Sequence, residues 1–416
     1  MVDPTDSRPR LTRRSVLQAT GAAGLTAGIA GCLGDEAADE DEPYVIGMVD
    51  SRTGTLEPYG ERNERGKQLA LEHINDVGIG PNDRELEVHV EDSESLPEPG
   101  VDGARLLVDQ EGVPLLIGAV GSGVTMAIHD SVIEGTDVVQ ISQNSTGAVL
   151  TERPDLLRAS PSGAEKGRHL ADLIYDDGHD EVAVTYVNND YGVSLSDVFV
   201  EEYAGEVLAT VPHEEEESSY SGEVSELADT DADAWLFIAY AEEFTIMVNE
   251  AYDRGYHEEI DYYGAESTIA DTILENTPEG SHDGLTGVTE TAPVEQENYQ
   301  RYVEEFEAAY DTSPTVWSAY AYDAIMWSAI AIHVADEFTG PAIMEVVREV
   351  TREPGETVHT LGEAKDVVEP GGDPDAVNYH GVSGPLDIDD YGDPTGAYQI
   401  YHVEDHEYVW GDFITG

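Results

Sequence analysis

The chain has 416 residues, with 19 lysines and arginines against 88 aspartates and glutamates and a formal net charge of −69 at pH 7. So few cations exclude nucleic-acid binding and docking to anionic membranes through a basic patch, since both need cationic surfaces. Hydrophobic residues make up 40%, enough to build the cores of two domains of ordinary size, and acids dispersed along a globular pattern with so little lysine point to work in very high salt, where screening is nearly complete.

The N-terminus reads as an export signal rather than fold. Thr12-Arg13-Arg14-Ser15-Val16-Leu17 is a twin-arginine pattern, followed by an apolar stretch from Ala19 to Ala30 that is too short and glycine-rich for a spanning helix. It ends in Ile29-Ala30-Gly31-Cys32, which resembles a lipoprotein signal whose cysteine is lipidated after cleavage. Cys32 is the sole cysteine, so no disulfide can form within the monomer. Residues 1–32 are therefore expected to be a twin-arginine lipoprotein signal. The nearly all-acidic block from Asp35 to Glu42 self-repels and extends, making 33–43 a tether. The expected location is the outer face of the cell membrane, anchored through Cys32.

From Tyr44 the chain alternates strand and helix. Tyr44 to Val49 is a buried strand that ends in a polar loop through Tyr59. Leu69, Ala70, Ile74 and Val77 have one-sided helical spacing, stopped by Gly78 and Gly80-Pro81. Leu86, Val88 and Val90 alternate as a strand, and a helix around Ala104 to Val108 follows. Such alternation is the signature of a parallel sheet with right-handed crossovers. Next come two apolar strands, each ending in a hydroxyl-rich turn: Ile117 to Thr125, and Val138 to Thr146. In an open α/β sheet ligands sit beyond the carboxyl ends of strands, so both turns are expected to face one crevice. Ser122 lies where a helix begins, a place that favours an anion, and the second turn is expected to hold a cation.

The rhythm restarts after Pro161. Val182 to Val187 is a strand opening through Asn188-Asn189-Asp190-Tyr191-Gly192 into a helix, and Glu206 to Val211 is another strand. Trp235 to Tyr240 is a buried strand ending at Tyr240, and Asp261 to Glu266 is a short strand delivering Glu266. Tyr299 to Tyr310, Trp317 to Phe338 and Ile343 to Val350 are helical by periodicity, and strands close the chain between Gly384 and Trp410. The fold class is α/β, with two doubly wound parallel-sheet lobes joined by a multi-crossing hinge: residues 44–160 plus 289–380 form lobe 1, and 161–288 plus 381–416 form lobe 2. Asp387-Ile388-Asp389-Asp390-Tyr391-Gly392 half-matches a calcium loop but lacks its ligand set, and is expected to be a hairpin turn. The thirteen histidines have no ligand spacing, so no metal is assigned. No nucleophile–base pair marks an enzyme.

Tyr59-Gly60, Ile117-Gly118 with Ser122, Ile141-Ser142 to Thr146, Asp190-Tyr191-Gly192, Gly264-Ala265-Glu266 and Ala321-Tyr322-Asp323-Ala324 occur in an order and spacing that resemble the type 1 periplasmic solute-binding proteins. The chain is most similar to the branched-chain amino-acid (leucine/isoleucine/valine) branch serving ABC importers. That resemblance implies the periplasmic binding protein-like I fold, no cofactor, and ABC permease subunits as partners. It implies that Ser122 and Thr146 meet a ligand carboxylate. The Asn144 carbonyl, Thr146 and Glu266 meet its ammonium, Tyr191 and Tyr240 close over it, and Tyr59 lies by its side chain. The bland alternatives are a cap or turn role for Ser122 and Thr146, ordinary burial for the two tyrosines, and a surface position for Glu266. The chain departs from the family at Gln143-Asn144, where proline and a small residue are usual, which leaves the ligand open. The expected function is an extracytoplasmic solute-binding subunit taking an amino acid or similar small polar solute. The alternative is a ligand-sensing receptor module of the same fold that binds an amide, urea or a small carboxylate.

Overall fold

The computed structural model describes residues 42–414. The signal, Cys32 and most of the tether lie outside the described residues. The first sheet has five parallel strands: β1 (Tyr44–Asp50), β2 (Leu86–Asp92), β3 (Leu115–Ile117), β4 (Val139–Ser142) and β5 (Leu156–Arg158), in the order β2-β1-β3-β4-β5. Its inner strands are buried on both faces, as expected of a sheet covered by crossover helices.

The second sheet has seven strands. β6 (Glu181–Val187), β7 (Glu206–His213), β8 (Ala234–Ile238), β9 (Asp261–Gly264) and β10 (Thr286–Glu290) run parallel. A small separate sheet of β11 (Glu356–Val358), β12 (Val377–Gly381) and β13 (Gly384–Pro385) precedes two late strands, β14 (Tyr398–Glu404) and β15 (Glu407–Ile414). These two add antiparallel to the edge at β10, giving β15-β14-β10-β9-β8-β6-β7.

The Val316–Val334 helix is the spine of the first core. Nearly all of it is buried, because its apolar residues run around the whole helix and not along one stripe. It starts at a reciprocal cap: the Thr315 hydroxyl accepts from the Ser318 N–H at 3.4 Å and the Ser318 hydroxyl from the Thr315 N–H at 3.0 Å. It ends at Val334, four residues before the expected Phe338. It packs on the Glu57–Val77 helix, where a Cβ at Gly66 would collide with the Ser318 carbonyl, so glycine is what allows the close approach. Asp323 ties the spine to the segment after β12. It accepts from Tyr379 Oη (2.7 Å), the Val382 and Ser383 N–H groups (2.9 and 2.8 Å) and Ser383 Oγ (2.5 Å).

One expectation is corrected. Asp387 to Gly392 is not a hairpin turn: it lies between β13 and β14, which do not pair with each other, and the hairpins of this region turn at Val382-Ser383 and Asp405-His406. The segment is instead folded on Asp389, whose carboxylate accepts from the Tyr391 and Asp393 N–H groups, and its job is to deliver Asp393 to Arg158. Val382, Leu386 and Ile388, expected with the second lobe, pack into the first core beside Ile46 and Trp327. Among the described residues no helix is long and apolar enough to cross a membrane.

Candidate functional site

The strand ends of the two sheets face one another. From the first sheet, Leu56 and Tyr59 follow β1, Ser122 follows β3, and Asn144 and Thr146 follow β4. From the second, Tyr191 follows β6, Tyr240 follows β8, and Glu266 follows β9. All seven expected ligand residues line a single cavity, together with Leu56, Val120, Gly121, Ser267 and Trp317. Both sheets contribute from carboxyl ends, as the general rule for open α/β sheets requires.

The first-sheet wall is a hydroxyl network. Thr125 Oγ1 bonds the Ala119 N–H at 2.8 Å and Ser145 Oγ at 2.7 Å. Ser145 Oγ donates to the Val120 carbonyl (2.9 Å) and Ser142 Oγ to that of Ala119 (2.8 Å). Ser122 Oγ accepts from the Gly147 N–H at 3.0 Å, which joins the two turns directly. A Cβ at Gly147 would press on Ser122, so a glycine is needed where the turns meet. Below them Arg158, fully buried, donates to the Gly147 carbonyl (2.9 Å), to that of Ser145 (3.4 Å) and to the Asp393 carboxylate (2.7 and 2.5 Å). The turns are therefore fixed before any ligand arrives. Asn144 is 5% exposed, and neither its amide oxygen nor its amide nitrogen has a hydrogen-bond partner among the described residues.

The second-sheet wall is aromatic and ionic. Tyr191 and Tyr240 stack with centroids 5.6 Å apart and planes 15° apart. Tyr191 Oη bonds Ser267 Oγ at 2.9 Å, and Tyr240 Oη accepts from Asn189 Nδ2 at 3.2 Å. Asn189 also caps the Asp190–Glu202 helix, accepting from the Tyr191 and Gly192 N–H groups at 3.1 Å, and so sets the direction of Tyr191. Burial holds both tyrosine hydroxyls neutral, well above their usual range, with the Glu266 charge adding to the effect at Tyr191 and the Glu215 charge at Tyr240. Tyr59 meets Trp317 edge-on at 5.5 Å, closing the side of the cavity.

Sequence reasoning missed Lys166 and Glu290. Lys166 Nζ is ion-paired to Glu266 and lies 2.9 Å from Glu290 Oε1, and all three side chains are buried. Burial disfavours the Lys166 ammonium, but the two carboxylates outweigh it and hold its pKa above the ordinary lysine value. Burial likewise pushes Glu290 up to about 7 against the pull of Lys166. The signal was present: Lys166 falls on the stripe Gly163, Gly167, Leu170, Ala171 and Ile174 that the Gly163–Asp176 helix buries. A lysine on an apolar stripe needs a buried partner.

The cavity holds about 30 Å³, room for about two waters, so a solute must enter while the walls stand further apart. A groove of about 830 Å³ adjoins it, sharing Glu266 and Trp317 and walled by Tyr299, Tyr408 and Trp410. No group of three or more histidine, cysteine or acidic side chains placed to hold a metal occurs among the described residues.

Two facing sheets with a cavity of aromatic and polar side chains between their parallel strand ends define a two-lobed binding protein. The chain belongs to the periplasmic binding protein family, whose model matches residues 43–365. It is 27% identical over 380 residues to the chemotactic signal transduction system substrate-binding protein BasB of Halobacterium salinarum, covering 88% of each chain. Among solved structures it is similar to a leucine-binding protein of Thermotoga maritima (TM-score 0.76, 23% identity, 89% of this chain and 98% of that one). It is also similar to the branched-chain amino acid transporter substrate-binding protein of Streptococcus pneumoniae in complex with isoleucine (TM-score 0.74, 19% identity, 90% and 99%).

Proposed function

We propose that this chain is the extracytoplasmic solute-binding subunit of an ABC importer and takes an amino acid, of branched-chain type or a similar small polar solute, between two closing lobes. The observation that carries this reading is the convergence of Ser122, Asn144, Thr146, Tyr59, Tyr191, Tyr240 and Glu266 on one cavity from two sheets. A zwitterion needs an anion site and a cation site a few ångströms apart. The Ser122 and Thr146 hydroxyls serve its carboxylate. The Asn144 carbonyl, Thr146 and Glu266 serve its ammonium, and the tyrosine pair covers it. Each charge-assisted bond contributes about 1.5–3 kcal/mol, so a few of them support binding in the micromolar range after association costs. Contacts from both lobes let the ligand favour the closed state by hinge motion. The lobes comprise 44–160 plus 289–380 and 161–288 plus 381–416, with the 381–388 stretch packed on the first.

The leader supports export by the twin-arginine route, with Cys32 as the lipid anchor at the outer face of the membrane and the permease as partner. The acidic composition supports a halophilic setting. A second reading, a sensing receptor of the same architecture, is favoured by the likeness to BasB, whose name places it in chemotactic signal transduction.

The test is a thermal-shift screen of amino acids, amides, urea and small carboxylates in molar salt, since a ligand raises apparent stability. Amino acids should protect the wild type, and Glu266→Ala should abolish that protection while leaving the circular dichroism spectrum unchanged. Equal protection of the variant would sink the zwitterion model. Cys32→Ser should move the protein out of the membrane fraction, and retention there would remove the anchor. Recovery of permease subunits, or of a signalling protein, with the tethered chain decides between transport and sensing.

A further inference from the structure

Lysine occurs in this chain only at positions 67, 166 and 365. One of the three is wholly buried behind the cavity, between two carboxylates. Glu266 lines the small cavity, Glu266 and Glu290 both line the adjoining groove, and Lys166 lines neither. Lys166 Nζ also sits 5.6 Å from the Tyr191 ring centroid. Glu290 Oε2 is buried and has no hydrogen-bond partner among the described residues.

The charges of this row have a direct consequence for what the cavity accepts. A lone buried carboxylate is costly without a partner, and Glu266 has Lys166 beside it. The ammonium of that lysine cancels the charge of Glu266. A second carboxylate behind the lysine restores one net negative charge. The ionised row thus lacks one positive charge, and the ammonium of a ligand at Glu266 supplies it. A ligand without a cation leaves the row unbalanced, and an anion adds to the imbalance.

We propose that Lys166 and Glu290 are specificity-determining residues of the cavity: they make it select a ligand bearing one ammonium over the same molecule without it, and they couple uptake of that ammonium to release of a proton from Glu290. This rests on the reading of the cavity as an amino-acid site. Lys166 is a positioning residue, acting through Glu266. The groups that face Glu290 are Lys166 from the Gly163–Asp176 helix, Glu266 from the turn after β9, Tyr320 from the Val316–Val334 helix, Tyr398 from β14 and, across the groove, Arg62 and Tyr59 from the Glu57–Val77 helix. The tyrosines stay neutral because burial raises them. Burial holds Glu290 at about 7, so near neutral pH a fraction of the row carries the proton that an arriving ammonium displaces.

The experiment uses the folded wild type in molar salt, with one pool of the twenty amino acids and a second pool of their deaminated acids as probes. The amino acids should raise the melting midpoint and the deaminated acids should not. The best amino acid is then titrated calorimetrically near pH 6 and pH 8 in buffers of different protonation enthalpy. Its affinity should rise by about tenfold with pH, with close to one proton released per ligand near pH 6, about half a proton near pH 7 and about a tenth near pH 8. Glu290→Gln should bind it more weakly, with a flat pH profile, and its preference over the deaminated acid should shrink by about tenfold. A merely structural role would lower both affinities together. Equal protection of the wild type by both pools overturns the inference, as does a Glu290→Gln protein with wild-type preference and pH profile. The amino-acid reading survives either of those results. Protection by neither pool removes the amino-acid reading and this inference with it. The wild-type pH profile and proton release need no variant, so a misfolded Glu290→Gln protein does not rescue the idea.

Discussion

Arg158 is the anchor of the first-sheet wall, and removing its counter-ion tests whether that wall is built as described. Its guanidinium is fully buried. It reaches Asp393 at 2.7 and 2.5 Å, Thr151 Oγ1 at 2.8 Å and the carbonyls of the turn that carries Asn144 and Thr146. Asp393→Ala leaves that charge buried with only neutral partners, a class of change that costs about 3–5 kcal/mol. Arg158→Met keeps most of the volume but orphans the Gly147 carbonyl and leaves the buried Asp393 carboxylate with Thr151 Oγ1 and without its cation, and it should cost about 2–4 kcal/mol. The double variant Arg158→Met, Asp393→Leu leaves no unpaired charge, so it should cost less than the sum by about 2 kcal/mol or more. Urea unfolding at fixed molar salt gives all three values, provided the slope with denaturant is unchanged. Arg158→Met should also weaken ligand binding, because the Ser145 and Gly147 carbonyls lose their tie. An Asp393→Ala protein destabilised by less than about 1 kcal/mol, or strictly additive losses, would show that the pair does not hold the turn.

Two further predictions concern buried carboxylates. Asp323→Ala orphans the four donors of Tyr379, Val382 and Ser383, and it should cost more than about 3 kcal/mol, read by the same unfolding assay; a loss of under 1 kcal/mol would contradict it. Burial raises Glu243 and Glu290 from 4.5 to about 7, so between those values the folded state holds protons that the unfolded chain has lost. Stability is therefore fully supported below the unfolded value and lost as pH rises through 7, with a slope of about 1.4 kcal/mol per pH unit there, since two half-protonated groups differ by about one proton. Burial lowers His213 and His282 to about 4. Their effect has the opposite sign below pH 6.5, where it works against further gains from Asp50 and Asp323, both raised to about 6. The unfolded histidines are still half protonated at pH 6.5 and offset part of the slope up to about pH 7, so the window that tests the two glutamates is pH 7 to 8, where a melting midpoint that climbs would refute the assignment.

What the sequence made legible is what depends on local pattern. Short apolar runs ending in glycine- and hydroxyl-rich turns mark β3 and β4, and the strand-end rule sets the turn of Ser122 and the turn that carries Asn144 and Thr146 on a common crevice. Glu266, one acid among 88, was separable from the rest only because a strand delivers it and because its surroundings resemble a known family. The failures have a shared cause. The Asp387 to Gly392 stretch was read from its turn-forming residues, yet what shapes it is a long-range pair, Asp393 with Arg158, separated by 235 positions. Glu290 carries no local mark, because its role is set by Lys166, which sits 124 positions earlier. Lys166 did carry one, a charge on a buried stripe, and a scan for charged residues on apolar faces would have found it.

The placement of two of the rare cations makes the cavity walls insensitive to salt. In molar salt the screening length is about 3 Å, so an ion pair in contact with solvent contributes little to shape or selectivity. A buried pair is beyond the reach of that screening and keeps its strength, provided its desolvation is offset by several hydrogen bonds. Arg158 and Lys166 are both fully buried, and each stands directly behind one wall of the same cavity: Arg158 under the turn of Asn144 and Thr146, Lys166 behind Glu266. Arg158 and Lys166 thus stand at two places where the direction of a site carbonyl and the charge of a site carboxylate are held whatever the ionic strength.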